Sequence, residues 1–333
     1  MVTIRDIAQA TGVSATTVSN VIHGRNKRVS AETIQSINDA IKELGYVPNM
    51  SARSLVSSSS KVIGFVNHVI TRTDTNMMDD PFHSAAIGAI ETALRENGYY
   101  LMLRTVETAE ELVAFLQNWN MDGLFFTGIF KDKFFDSVAG LHIPVVLIDS
   151  YVHTPQFCNV GLEDFTGSYN ATHYLIQKGH RHIAFASPNI KDGGVLQERF
   201  LGYKAEASIP FDKSIVFQQE MDIDSCKLVC EDIVKHPEIT GMVVSADIMA
   251  AGIMAGLRSK GIRIPDDISI VGFDDISLAQ LVTPPLTTIH QDMNLKGRLA
   301  VDFMLQLLDG KPLDTRDISL PTRLIERGSV RAL

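Results

Sequence analysis

The chain has 333 residues, 45% of them hydrophobic, enough to bury ordinary globular cores and too many for a disordered or fibrous protein. Its formal net charge of -9 argues against a protein that coats nucleic acid indiscriminately. The charge is uneven, however: residues 1 to 60 hold six Lys or Arg (Arg5, Arg25, Lys27, Arg28, Lys42, Arg53) against four acids, so a small basic module precedes a body that sums to -11.

Ile4, Ile7 and Ala8 fall at helical spacing before Gly12, and Ser14 is placed to cap a second helix that turns Val18, Val21 and Ile22 inward. A third stripe of Ile34, Ile37, Ile41 and Leu44 starts behind Ser30 and stops at Gly45. Residues 1–48 therefore read as one three-helix core. After Pro48, "NMSARSLVSSSSK" offers Asn49 as the cap of a helix of about seven residues, too short to stand alone in water. Residues 49–60 read as a hinge helix and linker.

From Lys61 the apolar runs "KVIGFV", "YYLMLRTV", "GLFFTGIF", "PVVLIDS", "HIAFAS", "GMVVSA" and "ISIVGFD" alternate with helices. The helices fall near 84–97, 107–118, 162–178, 225–236, 247–260 and 294–308. Such alternation predicts parallel sheets covered on both faces. Residues 61–333 exceed one comfortable core and divide into two α/β lobes, about 61–160 with 292–320 and about 161–291 with 321–333. A ligand cleft is expected at the carboxyl ends of the strands.

In the second helix Ala15, Thr16, Ser19 and Asn20 point outward, and short hydroxyl and amide groups reach base edges when a helix lies in a major groove. The same pattern also fits a helical hairpin inside another kind of domain. Arg25, Lys27 and Arg28 favour DNA, because neutralising phosphates supplies most non-specific affinity.

The order of "TIRDIAQATGVSATTVSNVIHG", "VSAETIQSINDAIKELGYVPN", "ARSL", "HYLIQKGHRHIAF", "IPDDISIVGFDD", "PPLTTIHQD" and "RLIERGSV" resembles the lactose-repressor family of bacterial transcription regulators over essentially the whole chain. The resemblance implies a helix-turn-helix domain and a two-lobed body similar to periplasmic sugar-binding proteins. It further implies a homodimer that reads a pseudo-palindromic operator, with hinge helices entering the minor groove. Ala15 and Thr16 would then be the main base readers, with Thr17 and Ser19 near phosphates. Asn20 stands at a position often basic or large and polar in the family. Leu55 matches the family's central wedge, which trades unstacking for a bend that admits more contact. Thr3, Ser14, Asn49, Ala52 and Arg53 complete the implied DNA-facing set.

For the effector, the resemblance puts Phe82, Asp149, Arg199, Asp247 and Asp274 near the ligand, in "DPFH", "LID", "QERFLG", "SADIMAAG" and "GFDD". The chemistry suits a sugar or sugar derivative: carboxylates accept from paired hydroxyls, an arginine fork donates, and an aromatic face covers an apolar side. Asp247 opens a helix and could serve as a cap instead. Ala246 replaces a residue commonly Asn, Met293 replaces a bulky or aromatic group, "GYKAEASIPFD" is about three residues short, and the loop from Asn67 to Asp80 is long. The particular effector is therefore not carried over.

Cys158, Cys226 and Cys230 form no C-x-x-C pair and fit a reduced, cytoplasmic protein, with Cys226 and Cys230 packing as small hydrophobes. His180 and His182 lack further metal ligands at useful spacing and read as structural. No signal peptide and no run of about 18 apolar residues is evident, so neither export nor a membrane span is expected. No cofactor is implied, and no common nucleotide, zinc-protease or hydrolase motif supports an enzyme. The expectation is a ligand-controlled DNA-binding regulator, dimeric because no leucine heptads follow "RGSVRAL". Control by a protein corepressor is the alternative within the regulators. A solute receptor would need the body alone, and a sugar-acting enzyme would use Asp149 and Asp274 as acid and base.

Overall fold

The computed structural model describes residues 2–22, 24–47, 59–68, 76–206, 208 and 210–333. The expected hinge helix, with Asn49, Ala52, Arg53 and Leu55, lies outside the described residues. The chain divides into two compact units, Met1–Ser60 and Lys61–Leu333.

The first unit holds α1 (Ile4–Thr11), α2 (Ala15–Ile22) and α3 (Ala31–Leu44). Each start is fixed by a short hydroxyl side chain. The Thr3 hydroxyl accepts from the Asp6 amide while the Asp6 carboxylate accepts from the Thr3 amide, a reciprocal box that satisfies two otherwise orphaned donors. Ser14 accepts from the Thr17 amide at 3.1 Å and Ser30 from the Thr33 amide at 3.2 Å. Gly12 and Gly45 end α1 and α3 in the left-handed region, which costs glycine least. Ile7, Val18 and Ile37, all fully buried, close the core with Ala8, Val21 and Ala40.

The second unit contains two six-stranded sheets. The first comprises β1 (Val62–Asn67), β2 (Tyr100–Thr105), β3 (Gly123–Thr127), β4 (Val145–Ile148), β5 (Cys158–Leu162) and β11 (Asp317–Leu320), in the order β11-β5-β4-β3-β1-β2. The second comprises β6 (Ile183–Ser187), β7 (Val216–Gln218), β8 (Gly241–Val244), β9 (Ser269–Asp274), β10 (Thr287–His290) and β12 (Arg323–Ile325), in the order β12-β10-β9-β8-β6-β7. Among the described residues every pairing is parallel except β12 with β10, so the expected parallel sheets are present with one antiparallel edge, a common device on such sheets. The inner strands β3, β4, β5, β6 and β8 are buried at every position, as strands covered on both faces must be.

Nine helices in the described residues cover these sheets: α4 (Pro81–Glu96), α5 (Ala109–Asn118), α6 (Lys133–Ala139), α7 (Asp164–Gln177), α8 (Val195–Lys204), α9 (Ile223–Val234), α10 (Asp247–Ser259), α11 (Ser277–Leu281) and α12 (Met293–Leu308). The chain passes between the sheets three times, from β5 into α7, from β10 into α12, and from β11 into β12. Thus α12 packs on α4, β4 and β5 of the first sheet's lobe, while α7 packs on α8, β9 and β10 of the second. Gly202 permits the α7–α8 approach, since a Cβ there would lie 2.1 Å from the Phe165 carbonyl oxygen. Cys226 and Cys230, on α9, are buried and fill the notch opposite Gly252 and Gly256 of α10.

Candidate functional site

On the first unit, Ala15 and Thr16 are exposed at the start of α2, and Thr17, Ser19 and Asn20 are half-buried. The Thr17 hydroxyl is 2.9 Å from that of Ser14, so those two groups hold the helix start as well as facing outward. Thr3 likewise spends its hydroxyl on Asp6, and the Thr3 amide, followed by that hydroxyl, draws the Asp6 carboxyl below its ordinary range. Arg25, Lys27 and Arg28 are exposed in the loop after α2.

In the second unit the carboxyl ends of the strands carry a chain of buried charges. Arg199, on α8, donates from Nε to Asp164 at 2.8 Å and from Nη1 to the Ser245 carbonyl at 2.5 Å and to Asp274 at 3.3 Å. Its guanidinium lies 3.6 Å from the centroid of the Phe273 ring. Gln291, just after β10, donates to Asp274 at 2.7 Å and accepts from Lys296 at 2.8 Å. Lys296 in turn donates to both oxygens of Asp149, each at 2.7 Å. The Tyr151 hydroxyl closes the other end on Asp164 at 2.7 Å.

The backbone fixes two of these acids in an unusual way. Asp149, following β4, has φ of 50°, and Asp274, ending β9, has φ of 112°. Non-glycine residues enter this region at a cost of about 1–3 kcal/mol, which surrounding contacts must offset. Both aspartates hold a buried cation, and β4 and β9 occupy the same rank in their sheets.

Burial sets the electrostatics. It pushes Asp274 up to about 6 against the pull of the Arg199 guanidinium, and raises Asp164 against the same pull. Burial works against the charge on Arg199, and the Asp164 and Asp274 carboxylates outweigh it. Tyr151 is raised by burial and by Asp164.

Of the five effector residues expected from the sequence, Arg199 and Asp274 are in direct contact. Phe82 is half-buried in the first turn of α4, its ring centroid 5.4 Å from Lys296 Nζ. Asp149 belongs to the network through Lys296. Asp247 is fully buried at the start of α10, where its oxygens accept from the Thr288 hydroxyl at 2.6 Å and the Ile276 amide at 3.1 Å. Burial and Asp274 push Asp247 up to about 8. Its bonds tie α10 to β10 and to the turn before α11, and it is not a helix cap: Ala246 holds that position with no side-chain bond.

Asp164, Gln291 and Lys296 were not anticipated. For Lys296 a signal existed, because it shares the buried stripe of α12 with Ala300 and Met304. His180 is buried between the Thr240 hydroxyl and the Arg331 carbonyl. No group of acids, cysteines and histidines among the described residues could hold a metal, and no described helix is long and apolar enough to cross a membrane.

Residues 3–49 match the family model for bacterial regulatory proteins of the lacI family, and residues 172–330 match that of a periplasmic binding protein-like domain. The chain is 32% identical over 343 residues to the HTH-type transcriptional repressor PurR of Vibrio atlanticus, covering all of both chains. It is 31% identical to the ribose operon repressor of Halalkalibacterium halodurans, covering 99% of this chain and 98% of that one. Among solved structures, the lac repressor dimer bound to operator and the anti-inducer ONPF superposes with a TM-score of 0.86 at 27% identity, over 99% of each chain. With relatives above 30% identity matched from end to end, the chain belongs to the lacI family of bacterial regulatory proteins and is a DNA-binding transcriptional repressor, not an enzyme.

Proposed function

We propose that a homodimer of this repressor reads an approximately palindromic operator through paired α2 helices, and that a small hydroxylated effector held between Phe82, Arg199 and Asp274 sets its affinity. The observation that carries the effector reading is the incomplete pairing of one guanidinium. Arg199 Nη2 donates to nothing among the described residues, and Asp274 Oδ2 has no donor there, so this contacting pair keeps one donor and one acceptor unengaged. A vicinal diol engages both, and the Phe82 ring suits the apolar face of a sugar. Similarity to CelR, solved as a cellobiose complex, supports this class of ligand; it covers 99% of this chain at 26% identity, with a TM-score of 0.73. Asp149 and Asp247 serve behind this face as positioning groups.

On the DNA side, Ala15 and Thr16 read bases, while Arg25, Lys27 and Arg28 neutralise phosphates. The lac repressor bound to operator is a dimer, and Ile223 and Leu281, 74% and 77% exposed here, are apolar surface that a second copy would cover. Effector and operator then couple reciprocally, typically by about 1–3 kcal/mol.

A thermal-shift screen with D-ribose, D-glucose, D-galactose and cellobiose identifies the ligand, since only a ligand that prefers the native state raises the melting temperature. Operator binding at one fixed salt concentration, with and without it, is then compared for wild type, Arg199→Lys and Asp274→Asn. Both variants should lose the response, and a full response in both would overturn the assignment.

A further inference from the structure

Lys296 is 1% exposed, on the inward stripe of α12. An ammonium offers three protons, and here three acceptors take them: both oxygens of Asp149 and Oε1 of Gln291. The side chains of Lys296 and Asp149 are 2% and 7% exposed, so the pair is shielded from water. A buried ammonium must stay paired. Each Asp149 oxygen keeps a second lone pair, but the side chain is only 7% exposed and the ammonium neutralises its charge, so a ligand hydroxyl gains far less from it than from an unpaired carboxylate. Across the cleft the situation is opposite, because Arg199 and Asp274 keep Nη2 and Oδ2 unengaged among the described residues.

We infer that Lys296 sets the effector's chemical class: by occupying Asp149 it withdraws the first lobe's carboxylate from recognition, leaving Phe82 as that lobe's contact. This rests on the effector site proposed above. The preferred ligand is a compact ring compound with one diol edge for Arg199 and Asp274 and an apolar face for Phe82, and hydroxyls turned toward Asp149 add nothing. Lys296 acts through Asp149 and Gln291, so it is a positioning and specificity residue rather than a ligand contact.

The test is a gain of binding. Calorimetric titrations of the full chain with D-ribose, D-glucose, D-galactose and cellobiose are made for wild type, Lys296→Gln and Lys296→Met. The glutamine keeps one hydrogen bond to Asp149 and protects the fold; the methionine releases both oxygens. At least one sugar should bind about tenfold tighter or more to these variants than to wild type, equivalent to 1.4 kcal/mol. Lys296→Met/Asp149→Leu, which replaces the pair by apolar groups, should return every affinity to the wild-type value. No gain with any sugar, a gain that persists without Asp149, or loss of wild-type binding in the folded double variant would each overturn the inference. Arg199→Lys and Asp274→Asn, titrated in parallel, separate the two ideas. If they leave sugar binding intact, the site itself is misassigned; if they abolish it while the Lys296 variants match wild type, only the role of Lys296 falls.

Discussion

Replacing Arg199 by methionine tests how the buried charges are balanced. The side chains of Arg199, Asp164 and Asp274 are 6%, 1% and 8% exposed, and the guanidinium reaches both acids. Methionine fills the stem's volume above Phe273 but leaves two carboxylates without their cation. Breaking a buried pair from one side costs about 3–5 kcal/mol. At roughly 2–4 °C per kcal/mol for a large domain, melting should fall by roughly 6–20 °C. The pH dependence has a definite sign. Burial holds Asp274 near 6 and raises Asp164 even with the guanidinium pulling both down, so its removal lifts both further. An acid raised in the folded state gives its full stabilising share below its ordinary value of 3.8 and loses it as pH rises through the folded value. The methionine variant's deficit should therefore grow from about pH 5 to about pH 8 and shrink on acidification. Urea titrations followed by circular dichroism at several pH values measure it, with Arg199→Lys as the charged control. A deficit under about 1 kcal/mol, or one flat across that range, would refute the reasoning.

Other substitutions probe single contacts. Ser30→Ala removes the bond to the Thr33 amide and should cost the first unit about 1 kcal/mol in thermal or denaturant melts. Gly202→Ala puts a Cβ against the Phe165 carbonyl and should destabilise the second unit by about 1–3 kcal/mol; an unchanged melting curve would mean that α7 and α8 can separate freely. Thr288→Val deletes a bond that draws Asp247 down, so a carboxyl carbon NMR titration should place Asp247 above its present value of about 8, and a fall would contradict the assigned bond.

Sequence periodicity was enough for the elements whose burial is one-sided or complete. The capped helices of the first unit and the seven apolar runs from β1 to β9 could be read directly. It failed where buried faces are polar or strands lie at edges. Helix α8 turns Arg199, Gly202 and Tyr203 inward, which leaves no apolar stripe to recognise. The strand β5 contains Asn159 and Gly161, while β11 and β12 are half-exposed edges. The short helices α6 and α11 fall below the length at which a period shows. In the site, residue type suggested that Arg199 and Asp274 work together, but not that Lys296 already occupies both oxygens of Asp149. Those partners are 147 residues apart, and a lysine within a helix is ordinarily read as solvated. Which lone pairs are taken is a property of packing, so spacing alone could not separate a ligand-facing carboxylate from a bracing one.

The three passages between the sheets have a consequence for synthesis on the ribosome. Strand β5 is complete once Leu162 has been made, but its partner β11 begins at Asp317 and the covering helix α12 at Met293. At roughly 5–20 residues per second, the edge bearing Cys158, Val160 and Leu162 waits roughly 8–30 s for its last strand. During that interval five of the second sheet's six strands emerge and can pair with one another, while the first lobe remains an unfinished, adhesive surface. The nascent chain is thus most vulnerable to aggregation in the lobe that is translated first, which waits for both a strand and its covering helix, whereas the second lobe waits only for its edge strand β12.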